Sequence, residues 1–145
     1  MTTTVPIPSL VAAAFCTRVE EGPDGVDLIG VLGGLTAEPH PGTMPGTLEA
    51  TIPVCLYFVL HAGHVTGARR VLWVLTNPDG TQKVAFDETW TFEPGSLRAQ
   101  QCAIAWTVYA PGPHWFHLLV DDEPIGQLCL EVYSTGWHYP ASLPA

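Results

Sequence analysis

Positive charge is scarce in this chain. Five Lys and Arg stand against fourteen Asp and Glu in 145 residues, a formal charge of −9. Arg69-Arg70 is the only adjacent basic pair, so no patch can neutralise a phosphate backbone and nucleic acid is not an expected partner. The same repulsion disfavours an anionic membrane surface. Cys-x-x-Cys spacing is also missing. Cys16, Cys55, Cys102 and Cys129 are scattered among apolar and β-forming residues, where cysteine packs as a small hydrophobe rather than building a zinc knuckle or redox motif. Free thiols in a reducing interior are the expectation. No positive charge precedes the apolar run VAAAF, which is too short to cross a bilayer and is soon followed by Arg18 and Glu20. A cytoplasmic location is therefore expected.

Long uninterrupted segments are lacking too. Fourteen Gly and fourteen Pro cut the chain into brief pieces, which opposes long helices and favours strands joined by turns. An apolar fraction of 47% with only 13% charged residues marks a folded chain with a sizeable core. LVAAAFCTRVE and VDLIGVLGGL read as two strands around the turn in EGPDG. TAEPHPGTMPG reads as a surface loop. TLEATIPVCLYFVL is a strand whose Pro53 points to an edge or a bulge. ARRVLWVLT and KVAFDETWTF flank Asn77-Pro78-Asp79-Gly80, a strong turn signal. LRAQQCAIAWTVYA and the hairpin GPHWFHLLVDDEPIGQLCLEV complete the set. The spacing predicts an all-β, single-domain, roughly eight-stranded antiparallel β-sandwich. Residues 1–9 form an N-terminal extension, 10–133 the domain and 134–145 a tail.

Period-two alternation assigns faces. Phe116, Leu118 and Val120 point one way, as do Leu128, Leu130 and Val132. Cys102, Ile104, Trp106 and Val108 form another row, and so do Ala50, Ile52, Val54, Leu56, Phe58 and Leu60. These rows supply the two inner faces. Some strands are apolar on both sides: Val71, Trp73 and Leu75 stand opposite Leu72 and Val74, and Cys55, Tyr57 and Val59 back the row from Ala50. A half-buried antiparallel strand should show a polar outer side. A second subunit, or another protein, is the expected cover, with local loops and a ligand surface as the alternatives; Tyr57, Trp73 and Trp115 are the interface candidates.

Candidate chemistry is thin. His61 and His64, and His114 and His117, form two His-x-x-His pairs, but residues three apart on a strand diverge and zinc needs converging imidazoles. Asp121, Asp122 and Glu123 crowd one turn, and Asp79 and Asp24 occupy two others. A calcium ion wants six to eight oxygens, and these turns deliver them only if they meet at one end of the domain. No serine sits in a nucleophile elbow, and no spacing ties a cysteine to a histidine. Glu88 shares the phase of Phe86 and Trp90, and a bulge that turns it outward is the simplest reading. GVLGGL is no dinucleotide fingerprint, because no helix follows it. The five tryptophans are better used as core or interface bulk than as a stacking cleft. No catalytic, cofactor-binding or metal-binding residue is assigned, and no cofactor is expected. A non-enzymatic, self-associating interaction or structural module is the leading function. A metal-dependent protein using loop histidines or acidic turns, and a small-molecule or carbohydrate-binding sandwich, are the alternatives.

The order VAAAFCTRVE…GVDLIGVLGGL, Pro-rich link, long strand, NPDG turn and closing GPHWFHLLVDDEPIGQLCLEV resembles a family of uncharacterised bacterial β-sandwich proteins, over Leu10 to Val132. The resemblance implies a compact sandwich and brings no catalytic residues. Where the family usually carries glycine after the aspartate of the last turn, this chain has Asp122-Glu123.

Overall fold

A computed structural model describes residues 6–37 and 49–134. The Pro-rich loop expected after Thr36 falls largely outside these residues, and the tail from residue 135 falls wholly outside them. Among the described residues there are ten strands and no helix, hence none long and apolar enough to cross a membrane. The strands are β1 (Ser9–Cys16), β2 (Arg18–Gly22), β3 (Gly25–Ile29), β4 (Gly34–Ala37) and β5 (Ala50–His61). They continue as β6 (Gly67–Thr76), β7 (Gln82–Phe92), β8 (Leu97–Val108), β9 (Gly112–Val120) and β10 (Glu123–Ser134). A small sheet orders β1-β5-β8 and a large one β4-β10-β9-β6-β7, while β2 and β3 form a separate ribbon. The fold is an all-β sandwich, and the two strands beyond the expected eight arise because each of the first two expected strands is split, into β1 and β2 and into β3 and β4.

Local chemistry sets the hairpins. Gly80 takes φ 88° in the β6–β7 turn, a conformation that costs glycine nothing. There the Asp79 carboxylate accepts the Thr81 N–H at 2.9 Å and the Thr81 hydroxyl at 2.6 Å, closing an Asx turn. The β9–β10 turn places Asp121 and Asp122 at φ 47° and 66°. Two successive positive values match the twist of the flanking strands, and aspartate tolerates them better than most residues. The turn therefore forms without a glycine.

Four expectations need correction. The opening strand is not continuous to Glu20. It breaks at Thr17, whose backbone N–H and hydroxyl both donate to the Ile29 carbonyl at 2.9 Å, so β1 pairs with β5 and only β2 stays in the hairpin with β3. The sheets are not purely antiparallel either, since β4 joins β10 in parallel. The chain reaches β4 by crossing from the small sheet, where Leu32 bridges Phe15, to the edge of the large one rather than by a hairpin. Pro53 lies in the middle strand of its sheet without a register shift against β8. It is tolerated because β1 has ended opposite Cys55, which leaves that flank of β5 without a ladder bond to lose. Glu88 is exposed, but no bulge turns it outward. It is in register with inward-facing Val71, and the bulge between β6 and β7 falls earlier, at Ala85. β7 is simply an edge strand, so the inner face there is open to water.

The core follows the alternation. Ala50, Ile52, Val54, Leu56, Phe58 and Leu60 are all buried, facing Val71, Trp73 and Leu75 of β6, Phe116, Leu118 and Val120 of β9, and Leu130 and Val132 of β10. Burying each such side chain contributes about 1.5–3 kcal/mol. Phe58 is the hub, stacked on Trp90 with centroids 5.5 Å apart and edge-on to Trp73 at 5.4 Å. Phe116 meets Phe15 at 4.7 Å and Trp106 at 5.6 Å. Gly126 lies close under β1: a Cβ there would fall 2.6 Å from Leu10 Cδ2, so that side chain would have to move aside.

Candidate interaction surface

The strands that bury one row present the other outward, and on the large sheet more than half of the central outward positions are apolar. Register places Val84, Val74, His117 and Gln127 side by side across β7, β6, β9 and β10. The next rows are Asp87, Leu72, Leu119 and Pro124, and Gln82, Thr76, Trp115 and Cys129. Val84 is 53% exposed and Trp115 38%. Leu72, Val74, Leu119, His117, Gln82 and Pro124 line a shallow depression of about 360 Å³. Charge is confined to the β7 edge of these rows and to the positions beyond them. Arg70 holds Asp87 in a bidentate pair, at 2.9 and 2.7 Å, which keeps the Asp87 carboxyl below its usual range. Glu131 lies in register with Pro113.

The three interface candidates do not share a surface. Trp115 lies in the belt. Tyr57 lies half-buried on the outer face of the small sheet, in register with Ala14 and Gln101. Trp73 is wrong as an interface residue: it is fully buried, because it shares the phase of Val71 and Leu75 and Leu72 and Val74 are the outward pair.

Nor do the chemical candidates converge. Among the described residues no three His, Cys, Asp or Glu side chains gather where they could hold a metal ion. His114 is 1% exposed inside the sandwich, its Nδ1–H donating to the Gly112 carbonyl at 3.0 Å, and burial pushes its pKa down. His117 lies in the outer belt. His61 ends β5, its Nδ1 accepting the Gly63 N–H at 3.0 Å, and His64 is exposed in the turn beyond. Asp79 is occupied by Thr81. Asp121 accepts the Arg70 N–H at 2.9 Å and an Arg69 N–H at 3.2 Å, while Asp122 and Asp24 are exposed in separate turns. The Trp73, Trp90 and Trp106 indole N–H groups are buried without an acceptor among the described residues, so these rings act as bulk.

All four cysteines are free. Sequence reasoning missed that Cys16 and Cys55 lie directly opposite each other across β1 and β5. The only signal available was that both sit on apolar strands, since their meeting depends on a long-range pairing.

No protein-family model matches this chain, and no curated protein does either. Among solved structures, it is similar to an alkylpurine DNA glycosylase from Pseudomonas fluorescens bound to DNA containing an abasic-site analog. The TM-score is 0.51 at 12% identity, over 89% of this chain and 31% of that one. A β-glucosidase from Listeria innocua in complex with glucose gives 0.45 at 12%, over 83% and 16%. An immunoglobulin-like protein from Pseudomonas aeruginosa gives 0.38 at 12%, over 87% and 96%. The chain thus spans under a third of the glycosylase it matches and about a sixth of the glucosidase. The likeness to the glycosylase is one of fold alone.

Proposed function

We propose that this chain is a non-enzymatic assembly module that pairs with a second copy of itself through the outer face of its large sheet. The observation that carries the reading is the belt of Leu72, Val74, Val84, Trp115 and Leu119, aligned across three adjacent strands in the register given above. A contiguous apolar face of this kind marks a contact site more often than a free surface. A second copy fits it because apolar rows can meet apolar rows about a two-fold axis. Charge points the same way. Each chain carries −9, yet the one carboxylate in the three rows, Asp87 at their β7 end, is already paired with Arg70, so the belt itself adds little repulsion between two acidic copies. Four strands about 4.8 Å apart, with some eight residues each at about 3.4 Å, offer roughly 500 Å² in projection. Accessible area exceeds projected area, so this is comparable with the ~800 Å² per partner of stable dimers.

The basic residues support a protein partner over nucleic acid. Arg18, Arg69 and Arg70 sit in ion pairs and Arg98 lies over the Trp90 ring. A reducing, cytoplasmic setting, in which the thiols would stay free, and kinship with the uncharacterised bacterial sandwich proteins belong to the same proposal. Light scattering at low micromolar concentration tests the reading. The mass of a dimer is expected, with the dimer fraction rising as salt screens the two net charges. A monomer at every concentration and salt level removes it.

A further inference from the structure

We propose that Cys16 and Cys55 form a reversible dithiol–disulfide site whose oxidant is a small, uncharged disulfide. Nothing in this inference depends on self-association. The two residues are register partners on adjacent antiparallel strands. Such partners have Cα atoms about 4.5–5.5 Å apart, inside the roughly 4.4–6.8 Å that a disulfide spans, so closure needs no movement of the ladder. As register partners, their side chains lie on the same face of the strand pair. Cys102, by contrast, is in register with buried Leu56 and points into the sandwich, and Cys129 lies on the large sheet opposite Trp115. Only the first pair can close within the chain.

The site has an entrance. Cys16 is fully buried, whereas Cys55 is partly exposed and opens on a recess of about 370 Å³ lined by Thr17, Pro53, Val54, Ala103, Ile104 and Ala105. No charged side chain lines it. A neutral aliphatic disulfide can enter, while an anionic one meets an apolar wall on a chain of charge −9. In the first step the Cys55 thiolate attacks one sulfur of the oxidant, forming a mixed disulfide and releasing one thiolate, which takes up a proton. Cys16, losing its proton to solvent, then attacks Cys55 Sγ and expels the second thiolate. Two protein thiols are oxidised and one oxidant disulfide is reduced to two thiols. Burial and the neighbouring Cys16 push the Cys55 thiol up to about 11. Exchange at neutral pH is therefore slow and speeds up about tenfold per pH unit toward that value.

The test uses the full chain incubated with bis(2-hydroxyethyl) disulfide at about pH 9, quenched in acid and read by intact mass and non-reduced peptide mapping. The expected result is a mass lower by two hydrogens, a Cys16–Cys55 cross-link, reversal by a thiol reductant, and at least tenfold slower oxidation by glutathione disulfide. Cys16→Ala is expected to trap the hydroxyethyl adduct on Cys55. Three outcomes overturn the site: an adduct that persists on Cys55 in the full chain, a cross-link through Cys102 or Cys129, or an unchanged mass when the urea-unfolded chain is modified. Equal rates with glutathione disulfide overturn its preference for neutral oxidants.

Discussion

The two outer faces of the sandwich are built from the same alternation and end with different chemistry. On the large sheet the outward positions carry Leu72, Val74, Val84, Trp115 and Leu119, bulky groups left partly in water. On the small sheet they carry Ala12, Ala14, Cys16, Cys55, Ala99, Ala103 and Ala105, with Tyr57, Val59, Gln101 and, at one end, His61 and Leu97 as the large side chains. Bulk makes the first face costly to leave uncovered, at about 25 cal/mol for each Å² of apolar surface. Small side chains make the second face shallow, and they let two thiols meet across a strand pair. One face is suited to a large partner and the other to a small reagent.

The sharpest way to break this comparison contrasts two tryptophans of the large sheet. Trp73→Ala removes a buried ring packed edge-on against Phe58, and chemical denaturation is expected to show a loss of about 3–5 kcal/mol. Trp115→Ala, on the neighbouring strand three register positions along and facing outward, is expected to change monomer stability by less than about 1 kcal/mol while weakening association about tenfold or more, roughly 1.4 kcal/mol. If Trp73→Ala is mild, the assignment of faces on β6 fails.

A smaller effect separates inside from outside by titration. The buried imidazole of His114 is held below the ordinary histidine value, so the unfolded chain binds that proton before the folded domain does. Stability should then fall as pH drops below about 6.5 and level off beneath the depressed folded value. His114→Gln is expected to remove this slope in a series of melts across that window. A second decline belongs to Asp79, Asp87 and Asp121, whose carboxyls are lowered by hydrogen bonds and ion pairs. It begins only as pH falls through about 4. The smallest change comes from the exposed end of the belt: Asp87→Asn should barely move the melting temperature, and high salt should erase what difference there is.

The strands themselves were legible because alternation and turn residues act locally. Asn77-Pro78-Asp79-Gly80 announced its hairpin, and the row from Ala50 to Leu60 announced its buried face. What was not legible depends on pairing between distant segments. Pro53 reads as an edge residue until β1 is known to stop at Cys16, and Trp73 reads as equally suited to core or interface until its strand is docked. Glu88 looked misplaced because the sequence does not say that its strand lies at the rim. The Cys16–Cys55 pair is the extreme case, since neither residue carries any local sign of the other.

Sedimentation equilibrium of Leu119→Glu beside Tyr57→Glu tests most directly whether the large sheet is the face that pairs. A carboxylate at Leu119 would sit unpaired in the dry centre of the contact, so this variant is expected to be a folded monomer, while Tyr57→Glu associates as tightly as the unaltered chain. If Leu119→Glu associates normally, or if Tyr57→Glu is the variant that dissociates, the outer belt of the large sheet is not the interface.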